Sequence, residues 1–379
     1  MNTKEFIIDK SEEDKLIKSL GIRIDSEAVR LKRYIAMPDL SRMRGSPLKE
    51  IVDRASKTDS LTGFDVINIP EIVPTHILFD LFNMPSGHPA RSKSDTYYVD
   101  EQNVLRTHDT VFWYYYLNDP VIKKRIENKE ILGAICYGKV YRKDEIDNRH
   151  MNVFHQFGGL YIAPDDKKTI TPEDLKNTLS EIAKSIFGNN VEFRFYDHNF
   201  PYTDPSFEME AFINKQWIEI LGCGMARKSV LSSCGIEGYN GWAFGFGLER
   251  LAIASMSLPD IRLLWSQDER VRRQLQLGVK FKEVSKFPQT IRDISFIVDK
   301  SIALNNYYEI VRECAGNLIE EVKLLDTYKD AKKFGDDKVS YTFRIIYRSP
   351  ERTLTNDEVN VIQEKIREKT QGELKAVLR

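Results

Sequence analysis

The chain has 379 residues, enough for two or three domains, and 41% of them are hydrophobic, which suffices for ordinary globular cores. Lys and Arg number 56 and Asp and Glu number 57, so the net charge of −1 exerts no overall attraction on nucleic acid. The four cysteines are scattered without a C-x-x-C pair, which argues against a disulfide scaffold and a zinc site.

The N-terminus mixes acidic and basic side chains, which argues against a secretory signal and against an Arg-rich transit peptide. No apolar run is long enough to cross a membrane. We therefore expect a soluble cytoplasmic protein, with the mitochondrial matrix as the alternative.

Residues 1–60 are expected to form short helices, because glycines and prolines recur among helical apolar spacings. A basic stretch runs from Arg30 to Lys57, and a second runs from Arg262 to Lys286. Each is either a local nucleic-acid contact or a solvated helix face.

Residues 135–159 predict an antiparallel hairpin, because two segments rich in β-branched and aromatic side chains enclose a polar turn. Arg142 follows the first strand, and His155 and Gln156 lie on the second. Polar groups thus converge at one end of the hairpin. Arginine there suits phosphate oxygens, because its planar guanidinium is permanently charged.

A capped helix is predicted over Thr171–Phe187, with Pro172 at its first position. Strands are expected over 191–195, 207–213 and 217–221. These elements predict an antiparallel sheet flanked by helices.

The run GWAFGFGLER, residues 241–250, is a glycine-rich strand that leads into a helix. Its glycines permit close approach of a neighbouring strand or a flat ligand. Glu249 and Arg250 open the helix.

After a charged connector, the expected order of elements is strand, helix, strand, strand, helix, strand. Their expected ranges are 291–298, 305–314, 319–328, 338–347, 355–368 and 374–378. This order is that of a ferredoxin-like unit large enough to fold alone.

The hairpin and the later Gly-x-Gly-x-Glu-Arg segment resemble motifs 2 and 3 of class II aminoacyl-tRNA synthetases. Within that class the chain resembles the single-chain, mitochondrial-type phenylalanyl-tRNA synthetases. The runs that carry this resemblance, in order, are WIEILGCGM, WAFGFGLERLAI, LPDIRLLW, KFPQTIRDISF and YRSPERTLTNDEV.

The resemblance implies an α+β protein: a class II antiparallel sheet flanked by helices, followed by a ferredoxin-like βαββαβ anticodon-binding domain. We expect an N-terminal helical extension over 1–60, a catalytic domain over 61–270, a linker over 271–285 and the anticodon-binding domain over 286–379. The implied activity is ATP-dependent ligation of phenylalanine to tRNA(Phe) through an aminoacyl-adenylate, by a monomer that uses ATP and Mg²⁺. The alternatives are a class II relative that activates another amino acid and a non-catalytic tRNA-binding paralogue.

The resemblance also implies roles for single residues, with a catalytic set of Arg142, Arg250, Gln156 and His108. For ATP the implied contacts are Arg142 at the α-phosphate, Asp144 near the adenine amino group, Phe154 stacked on adenine, Arg250 on its other face or at the γ-phosphate, and Glu219 at Mg²⁺. For phenylalanine they are His108, Thr110 and Gln156 around the amino and carboxylate groups, and Phe200, Tyr202 and Ala243 around the ring. For tRNA they are Arg292, Arg344, Arg348 and Arg352.

Several positions depart from the pattern of the family, which often has His-Thr-Ser where this chain has His108-Asp109-Thr110, and Phe-Pro-Phe where it has Phe200-Pro201-Tyr202. Gly158 stands where its members commonly have Glu, so a carboxylate that could meet the substrate ammonium is missing. Asp109 is a hypothetical replacement for that charge. The Tyr202 hydroxyl leaves open whether the pocket admits a polar para substituent.

Overall fold

The computed structural model describes residues 4–143 and 147–379, which divide into two compact units after Phe281. Within those two ranges, no helix combines the length and the apolarity needed to cross a bilayer. Each unit is built around its own sheet.

The first unit contains ten strands and ten α-helices among its described residues. The strands are β1 Glu5–Ile7, β2 Asp65–Asn68, β3 Ile72–Pro74, β4 Asn103–Leu105, β5 Leu132–Tyr141, β6 Val153–Pro164, β7 Glu192–His198, β8 Thr203–Ile213, β9 Gln216–Ala226 and β10 Tyr239–Gly247. The helices are α1 Ser11–Ile22, α2 Ser26–Ile35, α3 Pro47–Ser56, α4 Thr75–Leu78, α5 Phe112–Leu117, α6 Pro120–Glu127, α7 Pro172–Phe187, α8 Lys228–Ser233, α9 Leu248–Met256 and α10 Glu269–Arg272.

The main sheet has eight strands in the order β1-β2-β5-β6-β10-β9-β8-β7. The pairs β1–β2 and β2–β5 are parallel, and every later pair is antiparallel. Strand β10 lies between β6 and β9, so the glycine-rich segment occupies the middle of the sheet. The predicted hairpin is confirmed as β5 and β6.

Helices cover the sheet because their apolar stripes need burial. Helix α7 begins with a capping box in which Thr171 and Asp174 satisfy each other's backbone N–H groups. On another side, α5 buries Phe112, Trp113 and Tyr116 in a core shared with sheet residues. Burying each such side chain contributes about 1.5–3 kcal/mol.

The N-terminal segment is not wholly helical. Strand β1 was not predicted, and it joins the edge of the main sheet by pairing with β2, where Glu5 lies opposite Val66. Three residues carry too little periodicity to identify a strand, and the pairing partner is distant in sequence. The same segment reaches the centre of the unit, where Leu40 N donates to His155 Nε2 (2.9 Å).

The second unit has the predicted ferredoxin-like order, with one additional short helix. Its sheet order is β12-β13-β11-β14, and all of its pairs are antiparallel. Its elements are β11 Thr290–Asp299, α11 Leu304–Ala315, β12 Ile319–Tyr328, α12 Ala331–Phe334, β13 Lys338–Tyr347, α13 Asn356–Leu374 and β14 Val377–Leu378. The predicted α+β fold class is therefore confirmed.

One boundary in this unit differs from the prediction. The last strand was expected over 374–378, but α13 continues to Leu374 and leaves only Val377–Leu378 as strand. The buried Leu374 completes the apolar face of α13 against the sheet, which favours the longer helix.

Candidate active site

A cleft of about 700 Å³ opens in the first unit, over the middle of the main sheet. Its walls come from β6, β9 and β10, from the segment after β4, from the turn before β8 and from the residues that flank the hairpin loop. Ten of the predicted residues line it: His108, Thr110, Arg142, Phe154, Gln156, Phe200, Tyr202, Glu219, Ala243 and Arg250. Asp144, the eleventh residue predicted for this site, lies outside the described residues.

Arg142 is fixed at the wall of the cleft, directly after β5. Its Nε donates to the carbonyl oxygen of Thr107 (2.8 Å). Its guanidinium lies over the Phe154 ring, 5.2 Å from the ring centroid. A cation–π contact of this kind favours a fixed orientation. Nε is the one Arg142 side-chain atom with a hydrogen-bond partner among the described residues, which leaves both terminal amino groups for a ligand.

Arg250 lies in the first turn of α9 and pairs with the carboxylate of Glu219 on β9. Both side chains are close to half exposed, at 46% and 44%. An exposed ion pair contributes about 0–1 kcal/mol, so a ligand can replace it at little cost. The cation predicted for ATP and the carboxylate predicted for Mg²⁺ therefore neutralise each other in this structure.

Glu249, next to Arg250 in the sequence, does not share the exposed ion pair of Arg250. It stabilises the fold instead. Its carboxylate accepts from His155 Nδ1 (2.6 Å) and from His155 N (2.8 Å). Because His155 Nε2 accepts from Leu40 N, the ring donates to Glu249 through its Nδ1–H. Both side chains are buried. The sequence did not predict this pair, since its members lie 94 residues apart.

An aromatic pocket forms one end of the cleft. The Tyr202 ring stacks on Phe200, at 5.8 Å between centroids, and lies nearly parallel to the His108 ring at 6.1 Å. Phe82 and Trp113 meet Tyr202 edge to face, at 6.2 and 6.4 Å. Neither Phe82 nor Trp113 was predicted from the sequence as part of this pocket. Trp113 lies in a run of aromatic residues in a helix, and that pattern predicts a core residue as well as it predicts a residue of a binding pocket.

The polar groups of this pocket are neutral. Burial, reinforced by the positive charge of Arg142, lowers the pKa of His108 to about 3. Burial also raises the pKa of the Tyr202 phenol. At neutral pH both side chains therefore act as uncharged hydrogen-bonding groups.

Three glycines in register form a glycine floor across the middle of the sheet, and two of them, Gly222 and Gly245, line the cleft. Gly158 on β6 lies opposite Gly245 on β10, which lies opposite Gly222 on β9. A Cβ atom at Gly158 would meet Asp109 Oδ2 at 2.3 Å, and one at Gly222 would meet Phe200 Cζ at 2.6 Å. Glycine is needed at these two positions, because the side chains of Asp109 and Phe200 occupy the space that Cβ atoms would fill.

Gln156 is tied to the loop after β4, since its Oε1 accepts from Asp109 N (2.9 Å). The Asp109 side chain is buried, and its Oδ2 has no hydrogen-bond partner within residues 4–143 and 147–379. Burial raises the pKa of this carboxyl to about 7, although Arg106 and Arg142 act in the opposite direction.

No cluster of three or more His, Cys, Asp or Glu side chains suited to a metal ion occurs in the described part of the chain. Glu219 and Glu208 are carboxylates that line the cleft. Mg²⁺ is commonly held by one or two carboxylates together with substrate phosphates, so a donor set of this size fits a nucleotide-bound ion.

The four arginines predicted to contact tRNA lie in the second unit, and each has partners there. Arg292 donates to Asn356 and Asn360, Arg344 pairs with Asp293 (2.8 Å), Arg348 pairs with Glu320 (2.6 Å), and Arg352 pairs with Glu358. The aromatic residues Phe343 and Tyr347 are core residues.

Two family models match the chain. The model described as "tRNA synthetases class II core domain (F)" matches residues 33–275. The model described as "Ferredoxin-fold anticodon binding domain" matches residues 285–379. The first match covers most of the first compact unit, and the second covers almost all of the second unit.

Several named proteins are similar over most of their length. The chloroplastic/mitochondrial phenylalanine–tRNA ligase of Arabidopsis thaliana is 41% identical over 323 residues, which is 82% of this chain and 72% of that protein. The mitochondrial enzyme of Dictyostelium discoideum is 34% identical over 358 residues, covering 79% and 76%. The phenylalanine–tRNA ligase alpha subunit of Clostridium novyi is 36% identical over 287 residues, covering 71% and 80%.

Proposed function

The chain belongs to the phenylalanine–tRNA ligases of the class II aminoacyl-tRNA synthetase family, and on that premise we propose that it activates phenylalanine with ATP and transfers it to tRNA(Phe). The observation that supports this assignment most strongly is the convergence of Arg142 and Arg250 on one cleft that also contains an aromatic pocket. The two residues are far apart in sequence, so only folding brings them together.

Arg142 binds the α-phosphate of ATP and Phe154 stacks on the adenine. The Nε bond to Thr107 leaves the terminal amino groups of Arg142 for phosphate oxygens. In adenylate formation a carboxylate oxygen of phenylalanine attacks the α-phosphorus, and pyrophosphate leaves. The carboxylate is already ionised at neutral pH, so alignment and charge neutralisation replace a general base.

Arg250 exchanges its partner Glu219 for the nucleotide, either at the γ-phosphate or on the free face of the adenine. Glu219, released from that pair, is the residue that would hold Mg²⁺ together with the phosphates. When bound, the ion supplies further neutralisation of phosphate charge. The exposure of the pair supports this exchange, because breaking it costs little.

Phenylalanine binds with its ring in the pocket lined by the stacked rings of Phe200 and Tyr202 and by the small side chain of Ala243. Edge-to-face and stacked contacts with these rings suit an unsubstituted phenyl group. His108, Thr110 and Gln156 surround the amino and carboxylate groups. His108 does so as a neutral group.

The second unit binds tRNA, and Arg292, Arg344, Arg348 and Arg352 are the residues proposed for that contact. We propose that the enzyme acts as a monomer, and the presence of the catalytic and anticodon-binding domains in one chain supports this. Several similar proteins are named mitochondrial or chloroplastic, which supports an organellar site of action, and none of those comparisons supports the cytoplasmic expectation.

The test is ATP–pyrophosphate exchange with a panel of amino acids. We expect exchange with phenylalanine and at least about 100-fold less with tyrosine. A pocket of aromatic side chains disfavours the extra hydroxyl group of tyrosine by roughly this factor. Exchange with another amino acid only would favour a relative of different specificity. Absence of exchange with every amino acid would favour a non-catalytic tRNA-binding protein, an alternative that the comparisons do not favour.

A further inference from the structure

Five acidic side chains among the described residues line the cleft, and three of them have cationic or imidazole partners. Glu249 is bound to His155, Glu219 pairs with Arg250, and Glu208 faces His198 Nδ1 at 3.3 Å. Asp95 is exposed at the rim. Asp109 differs from all of these, because it is buried and its Oδ2 has no hydrogen-bond partner within the described ranges.

Burying a carboxyl oxygen without a partner costs free energy, and in native proteins such a group calls for an explanation. The position of Asp109 suggests one. Its carboxyl lies over one end of the glycine floor, where Cβ atoms at Gly158 and Gly245 would stand 2.3 and 3.6 Å from its oxygens. The Phe200 ring lies over the other end, above Gly222. The middle of the floor, at Gly245, is left between a carboxyl group and a phenyl ring.

An α-amino acid with an aromatic side chain presents an ammonium group and a ring on opposite sides of its Cα. We propose that Asp109 binds the α-ammonium group of the amino-acid substrate, with the substrate Cα over Gly245 and its ring toward Phe200. This inference rests on the proposed function and assigns one recognition contact within it. A charge-assisted hydrogen bond from the ammonium group to Oδ1, the carboxyl oxygen that faces Gly245, offsets the cost of burying this carboxyl group.

Gly158 is required for the position of the Asp109 carboxyl group. Any side chain at position 158 would begin 2.3 Å from Asp109 Oδ2 and would displace the carboxyl group. Side chains at positions 109 and 158 therefore compete for the same volume. An acidic residue at either position could place a carboxylate there. A glutamate at 158, combined with a small residue at 109, would carry the charge into the same space from the strand instead of the loop.

Two ligands separate the ammonium contact from the rest of phenylalanine recognition. L-Phenylalaninol keeps the ring and the ammonium group and lacks the carboxylate, whereas 3-phenylpropionate keeps the ring and the carboxylate and lacks the ammonium group. Their binding to the full chain is measured by calorimetry for wild type, Asp109→Asn and the control Asp166→Asn. Asp166 is an exposed acid that pairs with Lys129 outside the cleft, so its substitution removes the same charge elsewhere.

Asp109→Asn is expected to weaken phenylalaninol about 10- to 100-fold, the loss typical of a hydrogen bond between charged groups. It should leave 3-phenylpropionate unchanged, and Asp166→Asn should change neither. Equal weakening of both ligands, or no weakening of phenylalaninol, would overturn the inference. If wild type exchanges pyrophosphate with phenylalanine and Asp109→Asn keeps its phenylalaninol affinity, only this inference fails. If wild type neither exchanges nor binds, the proposed function itself fails.

A second set of variants tests the shared volume and does not depend on the Asn variant. Gly158→Ala should also weaken phenylalaninol and spare 3-phenylpropionate, because the new Cβ displaces the carboxyl group. The double variant Asp109→Ser with Gly158→Glu should bind phenylalaninol at least about 10-fold more tightly than Asp109→Ser alone. A double variant that gains nothing would contradict the competition between the two positions.

Discussion

The guanidinium of Arg142 lies 5.2 Å from the centroid of the Phe154 ring, across the mouth of the β5–β6 hairpin. The two residues flank the hairpin loop, and strand pairing brings their ends together, since Tyr141 lies opposite Val153. The two sides of the loop therefore form one wall of the cleft, at which we propose that the nucleotide binds.

Removal of the Arg142 guanidinium should abolish most of the adenylation rate. Arg142→Ala is expected to lower kcat/KM for pyrophosphate exchange at least about 100-fold, because it removes a fixed positive charge at the reacting phosphate. Arg142→Lys keeps the charge but loses the paired donors and the Nε bond to Thr107, so it should recover only part of the rate. Full activity in the Lys variant would show that charge alone is sufficient.

Glu249 should contribute far more to the free energy of unfolding than Glu219, the ion-pair partner of Arg250. Glu249→Ala leaves the buried His155 Nδ1–H and N–H without acceptors, and should lower the free energy of unfolding by about 3 kcal/mol. Glu219→Ala breaks an exposed ion pair and should cost less than about 1 kcal/mol. Urea denaturation of both variants makes the comparison. Similar stability of the two would contradict the structural role of Glu249.

The sequence predicted features that depend on local patterns, and it did not predict features that depend on long-range strand pairing. Hairpin strands, the capped helix α7 and the ferredoxin-like order follow from local periodicity and capping, and they were predicted. The Glu249–His155 bond, the strand β1 and the glycine floor depend on which strands become neighbours in the sheet. Those pairings join residues distant in sequence, and no local pattern specifies them.

Asp109 should destabilise the protein at neutral pH. Its pKa in the folded protein, about 7, exceeds its ordinary value of 3.8, so the folded state binds more protons than the unfolded state between these values. Stability therefore falls as the pH rises from about 4 to about 7, by at most about 4 kcal/mol. The groups that face this carboxyl are Arg106, Cys136, Arg142 and Tyr202, with His108 adjacent in sequence.

Asp109→Asn removes this ionisation. The variant should melt at a higher temperature than wild type near about pH 8 and at the same temperature near about pH 4. Thermal melting across that range is the measurement. A variant less stable than wild type at about pH 8 would assign Asp109 a structural role in place of substrate binding.

Two glycine substitutions should have opposite consequences. A Cβ at position 222 would meet the tip of the Phe200 ring, which can turn aside, so Gly222→Ala should raise KM for phenylalanine and leave the melting temperature nearly unchanged. A Cβ at position 241 would meet the backbone oxygen of Tyr161 at 2.0 Å, which cannot turn aside. Gly241→Ala should therefore lower the melting temperature. Equal loss of stability in both would contradict this account of the floor.

Arg344 and Arg348 are both proposed to contact tRNA, but they should differ in their effect on the stability of the second unit. Arg344 forms an exposed pair with Asp293, so Arg344→Ala should spare stability and raise KM for tRNA about 5-fold in aminoacylation. The side chain of Arg348 is only 12% exposed and bonds Glu320, Gln289 and the Phe287 carbonyl. Arg348→Ala should lower the melting temperature. Unchanged tRNA kinetics in Arg344→Ala would remove that residue from the proposed tRNA contact.

The most direct test of the central claim is phenylalanine-dependent ATP–pyrophosphate exchange by wild type, Arg142→Ala and Arg250→Ala under one set of conditions. We predict exchange by the wild-type protein and a loss of at least about 100-fold in kcat/KM for each variant, because both arginines contact one nucleotide in the proposed complex. No exchange by wild type with phenylalanine, or full activity after removal of either arginine, would contradict the account.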